Sequence, residues 1–267
     1  MFKTSQACNR SAAGNSPYHP VIAPIPRLRL FAGPNGSGKS VLKSYLPGAL
    51  LGVYLNPDEI ESSIRRDNIL DIDSLDVHWS LPEIQSFFAE SGVLRNAALA
   101  EDGGKLISVD GMLVFDGIGV GSYHASVIVE FLRRKLLEQR RSFTFESVMS
   151  HPAKVRFLED AQAAGYRTYL YYVATDDPDI NISRVRNRVA LGGHAVPEGK
   201  IFSRYYRSLE LLMDAIKRSH RAYIFDNSTD NADGCHTWLA KVTDGARLEL
   251  KTDRIPDWFK QAVLDKI

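Results

Sequence analysis

Eight residues constrain this chain more than any others. Gly33-Pro34-Asn35-Gly36-Ser37-Gly38-Lys39-Ser40 is a complete G-x-x-x-x-G-K-[ST] pattern. The physics of the pattern is local. Glycines let the backbone bend until successive N–H groups point inward as an anion nest, and a following helix adds its positive end. The run sits between a short apolar stretch, Arg27 to Ala32, and a segment read as a helix from Ser40 to Leu46, halted near Pro47 and Gly48. Strand, glycine loop and helix in that order are the context in which such a loop cradles nucleotide phosphates. ATP is the expected ligand, with all eight residues as contacts. Lys39 is expected to reach the β and γ phosphates, and the Ser40 hydroxyl to ligate Mg²⁺.

Around the loop, strand-like and helix-like segments alternate. Val53 to Leu55 reads as a second buried strand, with Asn56 and Pro57 as the cap and first turn of a helix. Phe143 to Val148, Thr168 to Val173 and Tyr223 to Phe225 read as further strands. Helices are expected around the stripe Val127, Ile128, Phe131, Leu132 and Leu136, over Ala153 to Ala164 with Gly165 as the stop, and from Pro178 to about Gly192. Ile201, Tyr205, Leu209, Leu212 and Ile216 mark one more. The alternation predicts an α/β chain of the P-loop NTPase or kinase-like class with a mainly parallel central sheet. Residues 67–122 interrupt it with weak periodicity. There Lys105 to Val109, Asp110-Gly111 and Met112 to Phe115 read as a β-hairpin across a type I′ turn. The expected organisation is a flexible, proline-rich leader over 1–26 and one kinase-like domain over 27–267. That domain has an insertion at about 67–122 and a lid at about 184–207.

Composition narrows the class. With 44% hydrophobic and 24% charged residues, the chain is that of an ordinary globular protein. A net charge of +1 lacks the excess expected of a protein held mainly by nucleic-acid phosphates, so nucleic acid is not the expected partner. Two cysteines without metal-type spacing, Cys8 and Cys235, suit a reducing cytosol. No apolar run is long enough to span a bilayer and no secretory core follows Met1, so no membrane partner and a cytoplasmic setting are expected.

Carboxylates and arginines supply the remaining candidates. Asp58 follows the second strand, where a parallel sheet opens its ligand crevice. It suits a general base taking a proton from a substrate hydroxyl. A carboxylate favoured by the helix dipole is an equal alternative, and Glu59 competes for either role. Glu146 stands in an apolar strand and needs a partner, either a substrate hydroxyl, Mg²⁺ or a structural ion pair. Arg184 and Arg188 lie one helical turn apart, suited to gripping an anion together. Arg204 follows beyond the link Gly192 to Pro197. A lid closing these arginines over a transferring phosphate competes with a plain solvated basic face. His151 and His194 lack metal-spaced partners and read as loop residues. No L-S-G-G-Q stretch marks an ABC ATPase, no N-K-x-D stretch marks a GTPase, and Asp116 to Gly119 resembles a switch only in isolation. A small-molecule or nucleotide kinase, or a minor ATPase, remains.

Several blocks taken together resemble the zeta-toxin-like P-loop kinases. They are Gly33 to Ser40, Asn56 to Asp58, Phe143 to Pro152, Asn181 to Val189, Gly192 to Pro197, Ser203 to Leu209 and Tyr223 to Ser228. The resemblance runs from about Leu28 to Ser228. It implies a parallel-sheet kinase fold using ATP and Mg²⁺, with Asp58 as general base and Glu146 on the substrate side. It further implies Arg184, Arg188 and Arg204 as lid arginines and Asn227 near the adenine. In the zeta toxins proper the acceptor is a UDP-activated amino sugar, phosphorylated on a sugar hydroxyl, and an antitoxin protein restrains the enzyme. The insertion departs from that pattern, because it falls where substrate-side elements belong. The expected function is thus an ATP-dependent small-molecule kinase with an alcohol acceptor, a nucleotide sugar being one candidate and an antitoxin a candidate partner. A nucleotide-dependent binding module or switch ATPase, and a nucleic-acid end kinase, are the alternatives.

Overall fold

Every residue of β1 (Arg27–Ala32) after the first is buried, the pattern of a strand covered on both faces. The computed structural model describes residues 24–193, 195–229 and 236–267. The leader, apart from its last three residues, and the readings of Cys8, His194 and Cys235 lie outside the described residues. From β1 the chain passes through α1 (Gly48–Leu51), β2 (Val53–Leu55), α2 (Pro57–Asp67), β3 (Ile69–Asp71), α3 (Leu81–Glu90) and α4 (Gly92–Asn96). It continues with β4 (Ile107–Val109), β5 (Met112–Val114), α5 (Ser122–Glu138), β6 (Phe143–Ser147), α6 (Pro152–Ala163) and β7 (Arg167–Ala174). The remaining elements are α7 (Pro178–Ala190), α8 (Glu198–Glu210), α9 (Leu212–Lys217), β8 (Arg221–Asp226), β9 (Thr237–Thr243), β10 (Arg247–Leu250) and α10 (Asp257–Ala262).

The main sheet has the order β10-β9-β8-β7-β1-β6-β2. Its strands from β8 to β2 run parallel, and β9 and β10 extend the β8 edge antiparallel. This is the expected α/β class with a mainly parallel central sheet. β1 sits between β6 and β7, so the loop at its carboxyl end emerges at the crevice where parallel sheets hold ligands. One face of the sheet carries Leu28, Leu30, Phe145, Leu170 and Ile224 into the large core formed with α5 and α6. The other face carries a smaller cluster of Phe31, Tyr171, Val173 and Phe225 beneath Leu42.

Local chemistry explains the element that follows β2. Asn56 accepts from the Asp58 amide at 2.9 Å, and Pro57 occupies the first helical turn. Asp58 and Glu59 at the start and Arg65 and Arg66 at the end of α2 complement its dipole. Two sequence readings need correction. The segment after the glycine loop is a 3-10 helix, Lys39–Tyr45, because Ser and Val are weak helix formers and Pro47 cuts the run before an α-helix can propagate. The single helix expected over Ile201 to Ile216 breaks at Leu211 into α8 and α9.

Within the stretch 67–122, three strands form a separate antiparallel sheet of order β3-β5-β4, and α3 and α4 bridge its first two strands in sequence. Val109 faces Met112 across the hairpin. Asp110 at φ 47° and Gly111 at φ 77° give both turn residues the left-handed backbone that type I′ requires. A Cβ on Gly111 would lie 1.9 Å from Asp73 Oδ2. Gly111→Ala is therefore expected to destabilise the chain by about 1–3 kcal/mol, read as a lower urea midpoint. An unchanged midpoint would refute this account of the turn.

Candidate phosphate-binding site

The loop Gly33 to Ser40 is held by close approach of its backbone to three elements. Gly33, at φ 142°, leaves no room for a side chain, since a Cβ there would come 2.0 Å from the Val173 carbonyl oxygen of β7. Gly38, at φ 94°, would meet the Asn227 side chain at 2.4 Å and His236 Nε2 at 2.9 Å. Two amides brace the loop from behind. Asn181, buried in the first turn of α7, donates from Nδ2 to the Asn35 carbonyl at 2.5 Å, and the Thr175 hydroxyl donates to its Oδ1. Asn227, just past β8, donates from Nδ2 to the Ser37 carbonyl at 2.9 Å. The resemblance places Asn227 near an adenine; in this structure its side chain buttresses the loop. Ser37 is fully buried, and Ser40 is exposed where the 3-10 helix begins.

Lys39 stands at the centre of the site's charges. Its Nζ donates to the Gly33 and Pro34 carbonyl oxygens at 2.9 Å each. Burial lowers its ammonium from the ordinary 10.5 to about 8; the Glu146 and Asp58 carboxylates oppose that shift, and Arg188 and Arg204 reinforce it. Four of the sequence candidates thus lie close enough to Lys39 for their charges to act on it. Asp58 opens α2 with its side chain exposed, and Arg188 Nη1 of α7 stands 3.8 Å from its Oδ2. Glu146, on β6, accepts from the Tyr54 hydroxyl of β2. Burial pushes the Glu146 carboxyl above the usual carboxylate range, against the pull of Lys39. Lys43 Nζ lies 3.6 Å from the centre of the Tyr54 ring and 2.6 Å from Glu59, which occupies Glu59 in an ion pair.

Arg184 and Arg188 meet different groups across the fold. Arg188 points to Asp58, whereas Arg184 Nη1 donates to the Asn227 carbonyl at 2.7 Å. Arg184 therefore belongs with the β8 side of the loop. Next to it His236 is 9% exposed, and burial, with the Arg184 charge adding to it, lowers the imidazole to about 4. Arg186 Nε meets Glu198 at 2.6 Å and ties α7 to α8. Asn181, Tyr54 and His236 were given no role by sequence reasoning. A polar residue in the first turn after the Asp177 cap was the available signal for Asn181; nothing local marked the other two.

Loop, strand order and inward lysine define a P-loop NTPase or kinase-like protein. A model of the zeta toxin family matches residues 120–236, the stretch from the start of α5 to the edge of β9, with the glycine loop lying ahead of it. This is the family that the sequence motifs resemble. A relative from Haemophilus influenzae, described as an uncharacterized protein, is 23% identical over 175 residues, covering 66% of this chain and 89% of its own. Among solved structures, the AvrRxo1-ORF1:AvrRxo1-ORF2 complex with sulphate ions is similar at a TM-score of 0.51 and 14% identity, covering 86% of this chain and 62% of that one. The AvrRxo1-ORF1:-ORF2 structure with ATP gives 0.50 at 15% identity, covering 85% and 61%. The chain thus spans about three fifths of the length of those structures, and the likeness is one of fold.

The lowered Lys39 carries a stability signature. Between about 8 and 10.5 the unfolded chain holds the Lys39 proton more tightly than the folded one. Stability from this residue therefore rises with pH across that window. The urea-unfolding free energy of the wild type minus that of Lys39→Met is expected to increase from about pH 8 to about pH 10. A difference that stays flat would exclude a buried ammonium.

Proposed function

We propose that this chain is an ATP-dependent small-molecule kinase of zeta-toxin type, moving a γ-phosphoryl group onto an acceptor hydroxyl. The observation that carries the reading is the tightly packed glycine loop with the Lys39 Nζ folded onto its Gly33 and Pro34 carbonyls, and with Asp58, Glu146, Arg188 and Arg204 near enough for their charges to act on it. A glycine turn with a purely structural role needs no such set. In this reading the loop amides bind the phosphates, and Lys39 turns from the Gly33 and Pro34 carbonyls to the β and γ oxygens. Asp58 takes the proton of the acceptor hydroxyl. Arg188 and Arg204 meet the charge on the group in transit. Glu146, oriented by Tyr54, receives a further hydroxyl of the acceptor, and Arg184 with Asn227 lies on the nucleoside side.

The donors present fit Mg²⁺. Among the described residues no three His, Cys, Asp or Glu side chains gather into a metal cage, and Mg²⁺ characteristically takes one or two protein oxygens together with substrate phosphates. Ser40 is the protein oxygen we assign. The ion, when bound with the nucleotide, neutralises charge across the phosphate oxygens. The family match favours a UDP-amino sugar as the acceptor class and an antitoxin protein as a partner. Among the described residues no helix is long and apolar enough to cross a membrane, and the cytoplasm is the proposed setting.

The test is mass spectrometry of a metabolite extract incubated with the protein, ATP and Mg²⁺, beside a Lys39→Ala control. A product heavier by one phosphoryl group, absent from the control, is expected. Asp58→Asn is expected to keep ATP binding while transfer falls by about 10²–10⁴-fold. Undiminished transfer would remove Asp58 from the mechanism. Release of ADP and phosphate alone, whatever acceptor is present, would overturn the kinase reading in favour of a switch ATPase.

A further inference from the structure

The second face of the main sheet carries an arrangement that phosphoryl transfer does not use. Strand alternation sends Leu28, Leu170, Ala222 and Val242 into the large core and their chain neighbours to the opposite face. The registers then align Arg29, Tyr169, Arg221, Thr243 and Arg247 across five strands. The next row toward the loop aligns Tyr171, Tyr223, Lys241 and Glu249. Arg27 and Arg167 pair at the foot. Six cations and one acid thus stand in these rows, with Asp244 beside Arg247 as a second acid, in a chain whose net charge is +1.

The upper half is covered by the segment after the glycine loop, through Leu42, Tyr45 and Leu46. Much of the lower half is open among the described residues, but Arg29 is buried in it, its guanidinium 5.3 Å from the Tyr169 ring centre. Arg27, Arg167, Arg221, Arg247 and Trp238 are exposed, and Tyr169, Tyr223 and Lys241 are half-buried. Lys241 and Lys251 pair with Glu249, and Arg247 pairs with Asp244. The cationic excess therefore falls on Arg27, Arg167 and Arg221. Aromatic rings stand among these charges. Tyr223 stacks on Tyr171 at 4.8 Å, and Trp238 follows with its ring centre 6.3 Å from that of Tyr223.

We propose that this face docks a single-stranded nucleic acid, with phosphates on Arg27, Arg167 and Arg221 and a base stacked on Trp238 in place of Lys251, whose Nζ lies 5.2 Å from the Trp238 ring centre. Every base offers a π-face, so an aromatic platform between cations binds single strands with little sequence preference. An acidic polypeptide would satisfy the arginines but gain nothing from the exposed Trp238 ring. Stacking also removes the need for a large overall positive charge, because few phosphates are neutralised. Arg27, Arg167 and Arg221 start their strands, at the end of the sheet opposite the glycine loop, whereas Trp238 pairs with Phe225 near the carboxyl end of β8 with its ring centre 6.3 Å from that of Tyr223. The polymer is therefore a docking partner rather than the phosphoryl acceptor, and the proposal stands apart from the kinase reading.

The experiment is fluorescence anisotropy of a labelled oligo-uridine of about 12 nucleotides with the full chain, titrated across salt. Binding at low salt is expected. Trp238→Ala should weaken it by roughly 5- to 100-fold, while Trp238→Phe restores most of it. The double variant Arg27→Ala with Arg221→Ala should lower the slope of log K against log salt by about 1.4. Each variant is exposed at the surface, and an unchanged melting temperature confirms its fold. No binding at low salt, or full affinity in Trp238→Ala, overturns the proposal. Competition by polyglutamate as effective as that by the oligonucleotide would assign the face to acidic polypeptides instead.

Discussion

An anion nest works only if its amides are already turned inward before an anion arrives, since reorganising them would consume the binding energy. In this chain that condition rests on contacts behind the loop. The Val173 carbonyl lies where a Gly33 side chain would be, so β1 and β7 can pack only with glycine at that position. Asn181 holds the Asn35 carbonyl and Asn227 holds the Ser37 carbonyl. One amide comes from α7 and the other from the end of β8. Strand order thus matters chemically: β7 and β8 sit on one side of β1, and both send their next residues to the loop.

On the other side of β1, the sheet supplies carboxylates instead of amides. β6 brings Glu146, and β2 brings Tyr54 and then, through its capped helix, Asp58. Lys39 lies between these two halves, and its environment is finely opposed: burial lowers its ammonium while two carboxylates raise it. A lysine in that balance is charged near neutrality and only loosely committed to its partners. Its partners are neutral carbonyl oxygens, and under the proposed function a phosphate oxygen would replace them at a gain in electrostatic energy.

Much of this was legible where the chemistry is local. The loop, the Asn56-Pro57 helix start and the Asp110-Gly111 turn each depend on residues adjacent in sequence, and each appears where expected. Longer-range effects were not legible. Only Ile84 and Phe88 of α3 are fully buried, too few positions to show helical periodicity in a stretch rich in Asp and Gly. The apolar stripe of α8 and α9 continues across Leu211 with no glycine or proline to announce the break. In β9 both Leu239 and Ala240 turn inward, beside a register shift at Ile224 and Phe225, and that bulge breaks the alternation that marks a strand. At the site, the separation of Arg184 from Arg188 depends on what each meets across the fold, Asn227 for one and Asp58 for the other. Helix spacing alone gives them one face and no hint of two destinations.

Net charge, for a related reason, says nothing of how charges are arranged. A sum over the chain treats Arg29 and Leu28 as neighbours, whereas a strand puts them on opposite sides of a sheet. Parallel strands in register then add such residues laterally, so arginines far apart in sequence at 27, 167 and 221 come together on one surface. Their carboxylate counterparts are spent elsewhere, as with Glu130 beside the buried Arg133 and Asp102 between Lys105 and His124. A near-neutral chain is thereby compatible with a strongly cationic face, provided the fold leaves that face uncovered. The short 3-10 helix after the glycine loop reaches over the upper half of the sheet and stops at Tyr45, and among the described residues Arg27, Arg167 and Arg221 beyond it are exposed.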